Sequence, residues 1–561
     1  MFKVINNLEE LKEILSDYKI LFVDTETTGL NPRKDKIRLV QIKAPGVESI
    51  IIDAFQLKNL HVLDPIFENK TLIFHNAKFD LSFLVNSGIN AVLKSKIHDT
   101  MIAGKVFEPE KSHSLKNMVK DHLSIHLDKE MQISNWNQEL TKEQLEYAAK
   151  DVIFLEKLFV KIKNKYNLSN LLYRTECSII PAIVEAEYKG FKIDIEKLLV
   201  NLENKRLKAE EIASYLKTKY GISYSKPKEI ASALIKNGIN LPKTSKGNYE
   251  TSERVLKNIE HEIAKQVLEI RKLKKEIDIL ENYLISSDKD GKIHPTFHTW
   301  KTVSGRMSCE NPNIQAVPRK KEFRELFISD EDKVLIGADY PQIELRIAAV
   351  YTRDKNMIEL FKKGIDLHKL IVSKVMNIPY EEINEELRQM GKPVNFGALY
   401  GMSAKKLMEY ARNVYSVNMN YDEARVFLKI YKETYPQIAQ WQDMTIRKIQ
   451  KHKKIQVKTL LGRVMTAERY TDALNYPIQG SGADLIKLAI AYFHSKKNKL
   501  NLEANIVNVI HDEIIVEAKK ETSEKVSKLL KESMQWAAKK IIPEIPCPVE
   551  VKIGKNWQEI K

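Results

Sequence analysis

At 561 residues the chain is too long for a single hydrophobic core, so two to four domains are expected. No apolar run is long enough to cross a bilayer, the N-terminus lacks a signal-peptide pattern, and the three cysteines (Cys177, Cys309, Cys547) are scattered, which argues against a membrane-spanning, secreted, disulfide-framed or zinc-binding class. With 91 basic and 75 acidic residues the formal net charge is +16, a balance that suits a polyanionic partner whose condensed counterions are released on binding.

Residues 20–26, ILFVDTE, form a β-rich run in which Asp24 and Glu26 are two apart, so both carboxylates fall on one face of a strand where one cation could bridge them. Residues 72–80, LIFHNAKFD, predict a strand leading into a turn and a third acid, Asp80. Tyr147 and Asp151, in YAAKD, are four apart in a helical pattern and share a face. Any one of these acids alone reads as a solvated surface group. The ordered set resembles the DEDD 3′–5′ exonucleases of the Tyr subclass, an RNase H-like α/β fold. That resemblance implies that Asp24, Glu26, Asp80 and Asp151 bind two metals, that Tyr147 helps orient the attacking water, and that a single-stranded DNA 3′ end occupies the site. It sets the first domain at about residues 1–165.

A second domain is expected over residues 166–561. Ile195, Leu198, Leu202, Ala209, Ala213 and Leu216 form one apolar stripe, and Ile263, Val267, Ile270, Ile277, Leu280 and Leu284 another. These predict two long amphipathic helices with Lys-rich outer faces, a pattern that a coiled-coil dimerisation arm would share. Residues 224–249 between them, rich in Lys, Ser, Gly and Asn, predict a mobile loop, and residues 302–319, TVSGRMSCENPNIQAVPR, a polar irregular stretch.

In residues 334–350, VLIGADYPQIELRIAAV, a buried-strand run precedes Asp339, and Ile343, Ile347 and Val350 follow at helical spacing. Asp339 therefore falls at the carboxyl end of a strand, where it could meet a metal and a substrate or simply cap the helix. Arg388, Lys392, Phe396 and Tyr400 recur every four residues in RQMGKPVNFGALY. Two cations and two aromatics in one stripe suit a triphosphate and a stacked nucleotide, or else two core aromatics. Residues 505–517, NIVNVIHDEIIVE, predict two strands joined at His511 and Asp512, a hairpin with an acid at its tip. Two strand-end carboxylates in one sheet can hold two Mg2+ ions across a phosphoryl transfer.

DYPQIELR and HDE look like motifs A and C of family A DNA polymerases, the DNA polymerase I family, and the stripe just described matches its RxxxKxxxFGxxYG motif B. The resemblance implies a right-hand polymerase domain: thumb at about residues 175–300, palm at about 301–345 and 465–561, fingers at about 346–464. The two long helices then become thumb helices along the duplex minor groove. Asp339 and Asp512, helped by the Tyr340 carbonyl, would bind two Mg2+, with Mn2+ as an alternative. His368, Arg388 and Lys392 would neutralise the triphosphate, with Lys392 placed to protonate the leaving pyrophosphate; Phe396 and Tyr400 would line the nucleotide site. Glu344 would exclude the 2′-hydroxyl, with Tyr400 as its partner. The segment 302–319 resembles the family's TxxGRxSxxxPNxQxxP, which makes Arg306, Asn313 and Gln315 DNA contacts, joined by Gln479 and His511. Minor-groove acceptors look alike for all correct base pairs, so such contacts test pair geometry and not sequence.

Pro341 stands where the family usually has Ser, and Gly391 and Pro393 lie inside motif B. A Pro there removes the bond to the residue 389 carbonyl and favours a kink that costs up to about 3 kcal/mol. The exonuclease pattern starts near residue 20, so the family's 5′-nuclease domain is expected to be absent, as in its large fragment. The expectation is an intracellular, monomeric DNA-dependent DNA polymerase, encoded by a bacterium, a phage or an organelle. It would bind primer–template DNA and dNTPs, proofread through its 3′–5′ exonuclease and touch no membrane. A single-subunit RNA polymerase would share the palm acids but not Glu344, and a nucleic-acid clamp would need no Asp512 at a hairpin tip.

Overall fold

A computed structural model describes residues 2–57, 59–127 and 134–561. Its first part is a six-stranded mixed sheet in the spatial order Phe2–Val4, Ser49–Asp53, Ile37–Lys43, Ile20–Thr27, Thr71–Phe74, Lys96–Asp99. Ile20–Thr27 pairs antiparallel with Ile37–Lys43 and parallel with Thr71–Phe74. Both faces are covered, which is why Ile37–Lys43 is buried along its whole length. Val23, Val40 and Ile42 belong to the core on one face. On the other, Leu39 and Ile51 pack on Tyr147 and Ala148, and Phe22 and Ile73 on Leu155 and Phe159, all from the helix Lys142–Lys165. A capping box of Thr141 and Gln144 starts that helix.

The expected strand and turn lead to Asp80, which the structure places on a helix. Strand Thr71–Phe74 is followed by Asn76 in the left-handed region (φ 74) and then by the helix Ala77–Asn86, whose first turn carries Asp80. The short connection turns the chain sharply enough to bring Asp80 back over the sheet.

The helix Leu171–Lys189 leads into the second part. The two predicted amphipathic helices are Ile195–Tyr220 and Glu262–Ser286, and they pack on each other within the chain through residues of the main core such as Leu202, Leu216, Ile270 and Leu280. Their apolar seams are therefore spent internally and not on a dimerisation arm. Residues 224–249 are more ordered than their composition suggested: they contain the helix Pro227–Lys236, which buries Ile230, Ala231 and Leu234, and a bridge between Lys243 and Tyr249. Residues 302–319 likewise contain a strand, Ser308–Glu310, and a 3-10 turn, Ile314–Ala316. That turn is tied to a distant strand by Gln315 Nε2 donating to the Val509 carbonyl (2.7 Å) and Asn508 Nδ2 donating to the Ile314 carbonyl (3.1 Å).

A four-stranded antiparallel sheet has the order Ala504–Ile510, Glu513–Lys519, Lys333–Asp339, Glu550–Gly554. The expected hairpin is present, with His511 at φ 53 in its two-residue turn. Asp339 ends its strand opposite Glu513, so the register alone carries Asp339 to the side of Asp512. The motif B helix spans Glu385–Leu399 and continues through Pro393 without a break in its assignment. Gly391 has a packing reason: a β-carbon there would stand 2.2 Å from the His368 carbonyl oxygen, so only glycine lets this helix approach Leu367–Met376 so closely. Among the described residues no helix is long and apolar enough to cross a membrane.

Candidate active sites

In the first part, Asp24 and Glu26 project from one strand and Asp151 from the covering helix, and their ligand oxygens all lie within 4.8 Å of one another. Asp80 is outside that group of three. It is buried and accepts a hydrogen bond from Thr25 Oγ1 (2.8 Å). Burial, then repulsion from Asp24, hold its carboxyl well above the usual range. Burial and the neighbouring Asp151, Glu26 and Asp24 push the Tyr147 phenol up, so it stays protonated and able to donate. The cleft around these groups has a volume of about 630 Å3, and His75, Phe79 and Trp136 also line it. Carboxylates crowded this closely repel one another, and a divalent cation among them is the natural counter-charge.

The second site forms at the Asp339–Asp512 junction. Asp339 is not a helix cap: the helix Ile343–Thr352 begins after Gln342, which sits at φ 55. The intervening turn is held by Arg346, which donates through Nε to the Pro341 carbonyl (3.0 Å) and through Nη1 to the Pro546 carbonyl (2.5 Å). Pro341 is tolerated because this contact uses its carbonyl and not the N–H it lacks. The Tyr340 side chain is buried, its hydroxyl donating to the Met534 carbonyl (2.7 Å). Burial raises both carboxyls, with Asp339 adding to the rise at Asp512. Like the first set, this pair suits a bound divalent cation.

The adjoining cleft, about 510 Å3, is lined by Arg306, Glu344, Phe396, Tyr400, Gln479 and Asp512, among others. Glu344 is held at both oxygens: Arg306 Nη2 donates to Oε1 (2.6 Å) and the Tyr400 hydroxyl to Oε2. The Tyr400 partner was expected. The Arg306 partner was not, and it places the residue expected on the primer against the residue expected on the sugar. Gln479 lines the same cleft.

Arg388 is likewise engaged, its Nε donating to Asp366 Oδ2 (2.9 Å). His368 lies on the neighbouring helix Leu367–Met376. It is buried, and burial pushes its pKa down to about 4, so the ring is neutral near pH 7. Its Nδ1 accepts from Asn395 Nδ2 (3.1 Å), which leaves Nε2–H as a donor. Lys392 and Phe396 are half-buried, with the Phe396 ring 5.9 Å from that of His368. Asn313 Oδ1 accepts from the Gln315 backbone N–H (3.0 Å) and so caps the 3-10 turn, which the Gln315 side chain fastens to the hairpin strand. His511 is exposed at the hairpin tip.

Sequence reasoning passed over Asp366 and Asn395. Asp366 carried a legible signal, an Asp two residues before His368 that caps the helix Leu367–Met376 through the His368 N–H (2.8 Å). Asn395 had none, because its role depends on two helices meeting.

A sequence profile of DNA polymerase family A matches residues 194–559, and one of 3′–5′ exonucleases matches residues 1–167. The chain is 37% identical over 582 residues to DNA polymerase I of Aquifex aeolicus, covering 99% of both proteins. It is 31% identical over 436 residues to DNA polymerase I of Caldicellulosiruptor bescii, which spans 73% of this chain and 50% of that protein. With DNA polymerase I of Borreliella burgdorferi the identity is 28% over 593 residues, 99% of this chain and 64% of that one. It thus spans the whole of the Aquifex relative and about half to two thirds of the other two. The fold is similar to that of a solved structure described as the POL domain of Pol1 from M. smegmatis in complex with DNA primer-template and dNTP, with a TM-score of 0.80, 22% identity and complete coverage of both chains.

Proposed function

Because the chain belongs to DNA polymerase family A and carries a 3′–5′ exonuclease domain beside its polymerase domain, we propose a division of its chemistry between two carboxylate centres, Asp339 with Asp512 for synthesis and Asp24, Glu26, Asp80 and Asp151 for excision. The chain is a template-directed DNA polymerase with proofreading exonuclease activity. We assign residues 1–165 to the exonuclease, about 175–300 to the thumb, about 301–345 and 465–561 to the palm, and about 346–464 to the fingers. Proteins of this family depend on divalent metal. We assign two Mg2+ to each centre, primer–template DNA and a dNTP to the polymerase cleft, a single-stranded 3′ end to the exonuclease cleft, and a monomeric state to the whole.

Bound divalent cations supply Lewis-acid stabilisation of the attacking and leaving oxygens of a phosphoryl transfer. The protein's own groups do the rest. Asp339 and Asp512 would hold the metals, helped by the Tyr340 carbonyl. Arg388 and Lys392 bind the triphosphate by charge, and neutral His368 gives it a hydrogen bond from Nε2–H. Lys392 delivers a proton to the departing pyrophosphate. Phe396 stacks on the incoming base. Glu344, clamped between Arg306 and Tyr400, fills the space a 2′-hydroxyl would need. Arg306 retains donors on its guanidinium for the primer-terminal pair, with Asn313, Gln315, Gln479 and His511 around the template and primer. In the exonuclease, protonated Tyr147 holds the attacking water beside the acids.

The observation that carries this is the shared cleft of Asp512 and the Glu344–Tyr400 pair: metal-binding acid and sugar filter face one substrate. A labelled primer annealed to a template tests it. Extension is expected with dNTPs, shortening without them, and no extension with ribonucleotides. Shortening without extension under any condition would leave a nuclease with a binding module and overturn the synthetic assignment.

A further inference from the structure

Gln41 lies in the interior of the exonuclease sheet, on strand Ile37–Lys43, with no exposed surface. Among the described residues neither its Nε2 nor its Oε1 has a hydrogen-bond partner. A buried amide with all its bonds unmade loses hydration and gains nothing, so an apolar side chain would be more stable there. Its place in the sheet suggests why an amide occupies the position. Gln41 pairs with Asp24 in register, and residues directly opposed on antiparallel strands project from the same face, their β-carbons about 5 Å apart. On that face Leu39, two residues earlier, and Ile51, opposite Gln41 on the next strand, pack beneath Tyr147 and Ala148. Two residues on, Lys43 is already paired with Glu156 of the same covering helix (2.9 Å). The Gln41 amide is thus enclosed between Asp24 and the helix that bears Tyr147 and Asp151.

We propose that Gln41 is a positioning residue of the exonuclease metal centre, its amide fixing the orientation of the Asp24 carboxylate as that carboxylate ligates a divalent cation. This rests on Asp24, Glu26 and Asp151 being metal ligands. Ligating carboxylates are themselves oriented by hydrogen bonds, and loss of such a partner costs about 10- to 100-fold in metal affinity.

The test uses the full chain with Asp339→Asn and Asp512→Asn to silence the other centre, titrated with Mn2+ by calorimetry and melted without metal. Gln41→Leu is expected to weaken Mn2+ binding by about tenfold or more and to raise by the same factor the Mn2+ concentration needed for half-maximal hydrolysis of a single-stranded oligonucleotide. The metal-free melting temperature should be unchanged or higher. In an Asp24→Ala background Gln41→Leu should add nothing. Normal Mn2+ affinity in Gln41→Leu, or a loss that persists in full without Asp24, overturns the proposal. If Gln41→Leu lowers the metal-free melting temperature, Gln41→Met decides instead, weakened binding supporting the proposal and normal binding overturning it. Mn2+ binding left intact by Asp24→Ala overturns the metal-centre assignment itself, whereas binding lost in Asp24→Ala and normal in Gln41→Leu overturns only the role of Gln41.

Discussion

The carboxylate clusters of the exonuclease and polymerase domains are assembled in different ways. In the exonuclease the acids come from one strand, the helix that covers it and a helix beside it, and three of their oxygen donors already stand within 4.8 Å of one another. In the polymerase centre two acids meet by strand register, and the surrounding contact groups are bonded to each other: Arg306 and Tyr400 to Glu344, Arg388 to Asp366. One centre gathers its acids closely together. The other is held in internal bonds that a substrate must share or replace. The price of that second arrangement is that its contact residues are coupled, so changing one should be felt at another.

The largest expected effect breaks the two centres apart. Asp512→Asn should lower the synthesis rate by about a thousandfold, since metal-borne charge stabilisation is worth several kcal/mol, while DNA affinity and excision stay nearly unchanged. Filter binding and single-turnover assays check this, and a parallel collapse of DNA binding would mark Asp512 as a structural hairpin residue. Next, Glu344→Ala should raise ribonucleotide insertion relative to deoxyribonucleotide by about a hundredfold, because a rigidly held side chain rejects a hydroxyl by overlap. An unchanged ratio with matched nucleotide pairs would remove Glu344 from the sugar filter.

A smaller effect sharpens the contrast. If Arg306 serves both the primer terminus and Glu344, then Arg306→Ala should weaken discrimination against a mismatched primer end and also relax sugar choice, by about tenfold. Loss of mismatch discrimination with normal sugar choice would show that the Arg306–Glu344 pair does not support the filter.

The smallest effect concerns the helix Leu171–Lys189 that joins the two parts. Glu185 accepts from Lys497 Nζ (2.8 Å) and lies 3.3 Å from His494 Nε2. Burial alone would raise its carboxyl, but His494 and Lys497 hold it down to about 2 from an ordinary 4.5. A depressed carboxylate contributes stability that is present above about pH 4.5 and lost as the pH falls through about 2. Glu185→Gln should therefore cost about 2 kcal/mol by denaturant melt at neutral pH and much less in acid. A deficit that does not shrink in acid would assign the loss to packing.

Most of both centres was legible wherever a short period carried the information. The two-residue spacing of Asp24 and Glu26, the four-residue spacing of Tyr147 and Asp151, the apolar run ending at Asp339 and the hairpin tip at Asp512 all appear where periodicity placed them. One misjudgement came from letting composition outweigh period. Pro227 at a helix start, with Ile230, Ala231 and Leu234 behind it, was a helix signal inside a polar stretch. What no period could supply were the long-range partners. Arg463 joins Glu176 and Asp484 in a buried cluster with Lys487, Arg306 meets Glu344, and Gln41 is one of three polar residues in its strand, with nothing in the sequence to set it apart.

The account stands most directly on the independence of its two centres. Asp24→Ala with Glu26→Ala, assayed on one labelled primer with a mismatched 3′ end and on its matched counterpart, should abolish removal of the mismatched nucleotide and leave the single-turnover rate of matched extension at its wild-type value. If extension fell in parallel with excision, the two carboxylate centres would not be separate sites.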